Sequence, residues 1–250
     1  MNPEQVVQEH YRRLGEDYDR FLLYSPEFVR TLTAKMVAML DLREDDRLVD
    51  LGAGTAMYSL DILQQVPLRT PVVAVEPFEE MLRNIPEDPR IEPVGQDAMA
   101  FAREPREYSK VLMKEMIHHV EDRPELFTNL RDRLAGDDAR MLLVHVPPKL
   151  DYPLFRRALE RCESWHADPD ELVRDLEKVG MTVERDALDY RHALPKEHYF
   201  RMVRGQYMSV LSSFSAEEIE EGLEEMSATY ADRDTLEYND HFDYILARKT

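Results

Sequence analysis

One cysteine, Cys162, stands in 250 residues, so no disulfide can form within the chain, and such usage suits a reducing compartment. Cys162 sits between Arg161 and Glu163 in a helical stretch and reads as a packing residue. No apolar run approaches the length that crosses a bilayer. The opening residues Met1-Asn2-Pro3-Glu4-Gln5 lack the basic segment and apolar run of a secretion signal, which sets the expectation of a cytoplasmic location away from membranes. Dense Lys/Arg runs are missing as well. With 32 basic against 51 acidic residues the formal charge is −19, a field that repels phosphate backbones and argues against a nucleic-acid partner. The same surplus of acid fits a halophilic habitat. Internal repeats, low-complexity tracts and Gly/Ser linkers are absent, and 250 residues suit one α/β domain carrying a cap. Hydrophobic residues make up 43% and charged ones 33%, which places the chain among globular rather than disordered proteins.

What is present is order of a specific kind. Val7, Tyr11, Leu14, Tyr18, Phe21 and Leu22 form one helical stripe; Phe28, Leu32, Met36 and Leu40 form a second after the start signal Ser25-Pro26. From Arg47 onward strands and helices alternate. Strands are predicted at 48–51, 71–75, 91–94, 110–113 and 140–146, with helices at 55–66, from Pro77, and at 122–134 between them. Such alternation points to βαβ units and a mostly parallel sheet. A further helix opens at Asp168-Pro169-Asp170-Glu171 and stops at Gly180. Two last strands, 181–190 and 236–248, enclose helical stretches at about 195–211 and 215–230, the latter opening with Ser215-x-x-Glu218. The predicted architecture is one domain over 1–250: a helical cap at 1–45, a Rossmann-like core at 46–190 and 233–250, and a helical lid insertion at 191–232.

The informative segment is Leu48-Val49-Asp50-Leu51-Gly52-Ala53-Gly54-Thr55-Ala56, a buried strand running into a Gly-rich turn and a helix. The glycines let backbone approach a ligand closely. A dinucleotide fingerprint needs a third glycine where Met57 stands, and Asp50 before the turn repels pyrophosphate, so NAD is disfavoured. The same acid suits a cationic amino group. Glu76 ends the second strand, where a carboxylate accepts from both ribose hydroxyls. Asp97, in Gly95-Gln96-Asp97-Ala98, follows the third strand, where a carboxylate accepts from an adenine amino group. Each acid alone reads equally well as a turn or cap residue. Together, at successive strand ends, they describe a ligand with ribose, adenine and ammonium but no phosphate, which is S-adenosylmethionine.

The run from Tyr11 to Val146 resembles the class I S-adenosylmethionine-dependent methyltransferases, in their small-molecule branch. Their D-x-G-x-G-x-G motif matches Asp50, Gly52 and Gly54, with Ala56 replacing the last glycine. Lys114-Glu115-Met116-Ile117-His118-His119-Val120 is similar to the segment after their fourth strand, and Tyr18-Asp19 to a pair placed over the cofactor. The resemblance implies a Rossmann-like, seven-stranded, mostly parallel sheet with helices on both faces. It implies cofactor contacts at Tyr18, Asp50, Gly52, Gly54, Glu76, Pro77, Asp97, Ala98 and Lys114.

Methyl transfer from a sulfonium rests on in-line positioning and water exclusion, and needs a base only when the acceptor must lose a proton. His118 and His119 are the candidate catalytic residues; packing and substrate contact are their alternative roles. No ligand spacing specifies a metal, and none is expected. Tyr11, Arg201 and Arg204 are candidates for the substrate. Two arginines about one turn apart in so acidic a chain could clamp a carboxylate, and pairing with abundant acids such as Glu197 is the alternative. The expected activity is O- or N-methylation of a small molecule, extending to a carboxylate-bearing metabolite, by a monomer or homodimer. Aminopropyl transfer and a non-catalytic, S-adenosylmethionine-binding regulator are the rivals.

Overall fold

The computed structural model describes residues 25–249. The predicted first helix, with Tyr11 and Tyr18, lies outside them. The chain divides into two compact units, the larger built from 25–145, Ala167–Ala187 and 243–249, the smaller from Val146–His166 and Leu188–Phe242. Among the described residues, no helix is long and apolar enough to cross a membrane.

The larger unit starts with α1 (Pro26–Leu40), which Ser25 caps by accepting from the Phe28 backbone N–H at 3.1 Å. Its stripe of Phe28, Leu32, Met36 and Leu40 is fully buried. The sequence sets 1–45 apart as a cap, whereas α1 belongs to the sheet unit; the Tyr244 hydroxyl donates to its Leu32 carbonyl at 3.2 Å. Strands β1 (Leu48–Leu51), β2 (Val72–Val75), β3 (Ile91–Val94), β4 (Lys110–Lys114) and β5 (Arg140–His145) follow in parallel. Between them come α2 (Met57–Gln65), α3 (Glu79–Leu82), α4 (Ala98–Ala102) and α5 (Arg123–Arg133). All residues of β1 and β2 are buried, the signature of a sheet covered on both faces. Edge strand β3 is only partly so. The predicted helix from Pro77 begins later, at Glu79, because Pro77 sits in the bend that carries the chain off β2.

The sheet has seven strands in the order β3-β2-β1-β4-β5-β7-β6. β1 pairs with β2 on one side and β4 on the other, so the chain reverses its direction of travel across the sheet there. Open α/β sheets bind ligands at the carboxyl ends of the strands flanking such a reversal.

After β5 come α6 (Arg156–Trp165), α7 (Pro169–Lys178), β6 (Met181–Pro195), α8 (Lys196–Arg204), α9 (Ala216–Thr229) and β7 (Thr235–Lys249). β7 runs antiparallel to β5, from His145 opposite Asp243 to Arg140 opposite Arg248. β6 is longer than its predicted span of 181–190. Burial continues on alternate residues through Leu188, Tyr190, His192 and Leu194, the period of a strand. The helix predicted at 195–211 is instead split. α8 stops at Gly205; Gln206 then takes a left-handed conformation (φ +54°), and its amide donates to the Leu211 and Phe214 carbonyls, before a short 3-10 turn at Ser209–Ser213. α9 carries the full capping box of Ser215 and Glu218.

The smaller unit has its own core, in which Phe155, Ala158 and Cys162 meet Tyr199, Val203, Leu211, Phe214 and Leu223. Burial pushes the Cys162 thiol up to about 12, so it stays a neutral packing group.

Candidate functional site

The site residues of the larger unit grow from the turn after β1. Gly52 has φ +78° and Gly54 φ +57°, both in the left-handed region that side chains disfavour. Ala56, where the related motif has its third glycine, takes φ +58° as well and is fully buried. Ala56 thus takes a left-handed backbone usual for glycine, at a cost of about 1–2 kcal/mol. Gly52 and Ala53 donate their backbone N–H groups to the Val75 carbonyl at 2.8 and 3.0 Å, which ties the turn to the end of β2. A Cβ on Gly52 would lie 2.6 Å from the Met116 Cβ.

Glu76 follows β2 and is 5% exposed. One carboxylate oxygen accepts from Gly54 N at 2.9 Å, the other from Phe78 N at 3.1 Å. Each oxygen keeps a second lone pair, and together these can take two hydroxyl donors. Burial pushes the Glu76 carboxyl up to about 7; the two backbone hydrogen bonds oppose this, and the nearby charge of Asp50 adds to it. Asp50, inside β1, is buried and pushed up to about 6 by desolvation, against the Ser59 hydroxyl, which donates to it at 2.6 Å, and the charge of Lys114.

Lys114, the last residue of β4, holds its ammonium 4.6 Å from the centre of the Tyr58 ring. Asp97 is exposed and caps α4 by accepting from Ala100 N at 2.8 Å; Ala98 is the first residue of that helix. His118 and His119 lie on a 3-10 turn after β4, half-buried and exposed respectively, with ring centres 4.0 Å apart. Direct contacts thus join Glu76 to the glycine turn and Asp50 to Ser59, while Asp97 stands on its own helix cap. Ser59, Tyr58 and Met116 are contributors that the sequence reading missed. A lone serine in the buried stripe of α2 was the only signal for Ser59.

Arg201 and Arg204 belong to the smaller unit. Both side chains are exposed. Arg204 forks onto Glu220 at 2.6 and 2.9 Å, and Arg201 lies 3.4 Å from His198 Nδ1. Among the described residues, no group of three or more His, Cys, Asp and Glu side chains could hold a metal ion.

Two buried carboxylates served by backbone N–H groups and a serine hydroxyl form an acceptor-rich site. It fits hydroxyl and ammonium donors and repels phosphate. The raised pKa values have a testable consequence. A carboxyl held above its unfolded pKa binds more protons in the folded state, so ligand-free stability falls as pH rises from about 4.5 through about 7 for Glu76. In thermal melts the ligand-free protein is expected to lose stability between pH 5.5 and 8. The slope should flatten in Glu76→Gln, and saturating S-adenosylhomocysteine should reduce it. A melting temperature that rises through this window would contradict the assigned burial cost.

The strand order, with one buried carboxylate inside β1 and another directly after β2, defines a class I S-adenosylmethionine-dependent methyltransferase. The pattern of the methyltransferase-domain family matches residues 18–226, and the chain belongs to that family. No curated protein matches it by sequence. Among solved structures it is similar to a protein from Anabaena variabilis, described as a methyltransferase of an antibiotic biosynthesis pathway (19% identity, 86% of this chain and 96% of that one, TM-score 0.65). It is also similar to phosphoethanolamine N-methyltransferase 2 of Haemonchus contortus, solved with phosphomonomethylethanolamine and S-adenosylhomocysteine (14% identity, 97% and 60%, TM-score 0.58). A third is a protein described as a methyltransferase from Bacillus halodurans (16% identity, 87% and 98%, TM-score 0.58). At these identities the likeness is one of fold.

Proposed function

We propose that this methyltransferase acts on a small molecule, and that Glu76 is the residue by which it holds its cofactor. The carrying observation is the Glu76 carboxylate, buried, fixed by Gly54 and Phe78 N–H, and retaining lone pairs for two ribose hydroxyls. Asp97 and Ala98 would take the adenine side, and Asp50 with the Gly52–Gly54 turn the amino-acid side. When bound, S-adenosylmethionine supplies a methyl group on a cationic sulfur that leaves as a neutral thioether. The chain's own residues hold, orient and exclude water, which is where rate is gained in such a transfer. In this reading His118 and His119 contact the acceptor.

A small acceptor is supported by the net charge of −19, which opposes nucleic acids, and by the absence of a dense basic run from the sequence. It is also supported by the structural relatives, whose descriptions name an antibiotic pathway and a phosphoethanolamine derivative. Two measurements test the reading. Calorimetry should show binding of S-adenosylmethionine and none of NAD. Labelled-methyl transfer to a panel of metabolites should then find an acceptor among small molecules. NAD binding, or transfer of label only to protein or nucleic acid, would overturn it.

A further inference from the structure

Ser59 is fully buried in α2, and its hydroxyl donates at 2.6 Å to Oδ2 of Asp50, itself buried inside β1. Other helical hydroxyls in this chain turn back on their own helix. Thr31, Thr128 and Thr229 each donate to the carbonyl four residues earlier, at 2.8, 2.8 and 2.9 Å. Ser59 instead reaches a carboxylate nine residues away on a different element. Oδ1 of Asp50 takes no hydrogen bond from the described residues, so the serine serves one oxygen and leaves the other an open acceptor.

A buried carboxylate keeps its charge only where donors or cations offset the loss of water. The ionisable groups on the elements around Asp50 are Glu76 after β2, Lys114 and Glu115 at the end of β4, His118 and His119 on the 3-10 turn, and Tyr58 and Asp61 on α2. Lys110 lies at the far end of β4, on Asp138, and Asp61 is engaged by Thr33 and Arg30 of α1. The Lys114 charge favours ionised Asp50, whereas Asp50 and Glu76 repel each other. Against desolvation, the Ser59 hydrogen bond counts for more than the Lys114 charge.

We propose that Ser59 is a positioning residue for the cofactor: its hydroxyl holds Asp50 ionised and turned so that Oδ1 meets the ammonium of S-adenosylmethionine. This rests on the assignment of Asp50 to the cofactor's amino-acid side. An ionised Oδ1 gives the ammonium a charge-assisted hydrogen bond, which a protonated carboxyl cannot. With the serine in place, the Asp50 carboxyl titrates at about 6. Loss of a hydrogen bond to a charged group raises this by roughly one to two pH units. Without Ser59 the cofactor would therefore have to expel a proton near neutral pH before its ammonium could be held.

The test is calorimetric titration of the full chain between pH 6 and 8.5 with two ligands. One is S-adenosylmethionine; the other is 5′-methylthioadenosine, which has the ribose and adenine but no ammonium. Ser59→Ala should bind S-adenosylmethionine at least about fivefold more weakly than the wild type at pH 6, and less than about threefold more weakly at pH 8.5. In this ratio the cofactor's own titration cancels. At pH 7 the variant should release about half a proton more per cofactor bound, read in buffers of different ionisation enthalpy. Its affinity for 5′-methylthioadenosine should stay within about twofold of the wild type, and Ser59→Thr, which restores the hydroxyl, should recover the wild-type pH profile. Should Ser59→Ala fail to fold, Ser59→Cys, of the same shape and a weaker donor, must show the same pH-dependent loss. A loss equal at every pH, a loss equal for both ligands, or wild-type affinity throughout would each overturn the proposal. Asp50→Asn binding S-adenosylmethionine as tightly as the wild type would strike the assignment of Asp50, and the proposal with it.

Discussion

Replacing Glu76 by alanine is expected to weaken S-adenosylmethionine binding about a hundredfold, and this would come from lost acceptors, not lost fold. Hydrogen bonds to a charged group contribute about 1.5–3 kcal/mol each, so two ribose hydroxyls at the low end total about 3 kcal/mol. The deletion also leaves Gly54 N and Phe78 N without the oxygens that now receive them at 2.9 and 3.1 Å. The glycine turn therefore loosens where the cofactor would lie. Glu76→Gln is not a gentle substitute, because its NH2 must face one of two backbone N–H donors. Calorimetric titration, with melting curves to show that the variants fold, reads the effect. Affinity within twofold of the wild type would remove Glu76 from the site.

The second large effect is expected at Gly52, where alanine should destabilise the protein by about 2–5 kcal/mol. A side chain at φ +78° costs about 1–2 kcal/mol. Its Cβ would also stand 2.6 Å from the Met116 Cβ and 2.8 Å from its Cγ, and forced overpacking of this kind costs about 1–3 kcal/mol. Met116 Cβ is anchored to backbone, so relief requires the turn after β1 or the one after β4 to move. Met116→Ala keeps that Cβ, so the double variant should regain little. Urea unfolding measures the loss, and S-adenosylhomocysteine titration shows whether the displaced turn still binds. A Gly52→Ala chain with wild-type unfolding midpoint would mean that the turn accommodates a Cβ without strain and would overturn this expectation.

Several features were legible because they are local. Asp50, Gly52 and Gly54 lie within five residues of one another, and the left-handed backbone that the turn requires explains their spacing. Ala56 shows the limit of reading by residue type, since it holds the glycine conformation without being glycine. The sequence suggests Asp97 as an adenine acceptor; its cap on Ala100 N adds a structural duty that the sequence equally allows. For Arg204 the sequence allows a carboxylate clamp or pairing with an acid, and its fork is taken up by Glu220, 16 residues away. Sequence spacing does not reveal which of the many acids reaches a given arginine.

The sequence by itself determined the strand–turn–helix cassettes, the buried strands β1, β2, β4 and β5, the caps at Ser25, Asp122, Asp168 and Ser215, and the acids at the strand ends. These follow from hydrophobic period, backbone conformation and hydrogen bonds between residues a few positions apart. Tertiary structure alone decided that β7 inserts between β5 and β6, that both last strands run 15 residues, and that His192 meets Asp240 across 48 residues of chain. Strand order and register are set by which distant surfaces bury one another, and no local periodicity encodes that partner choice.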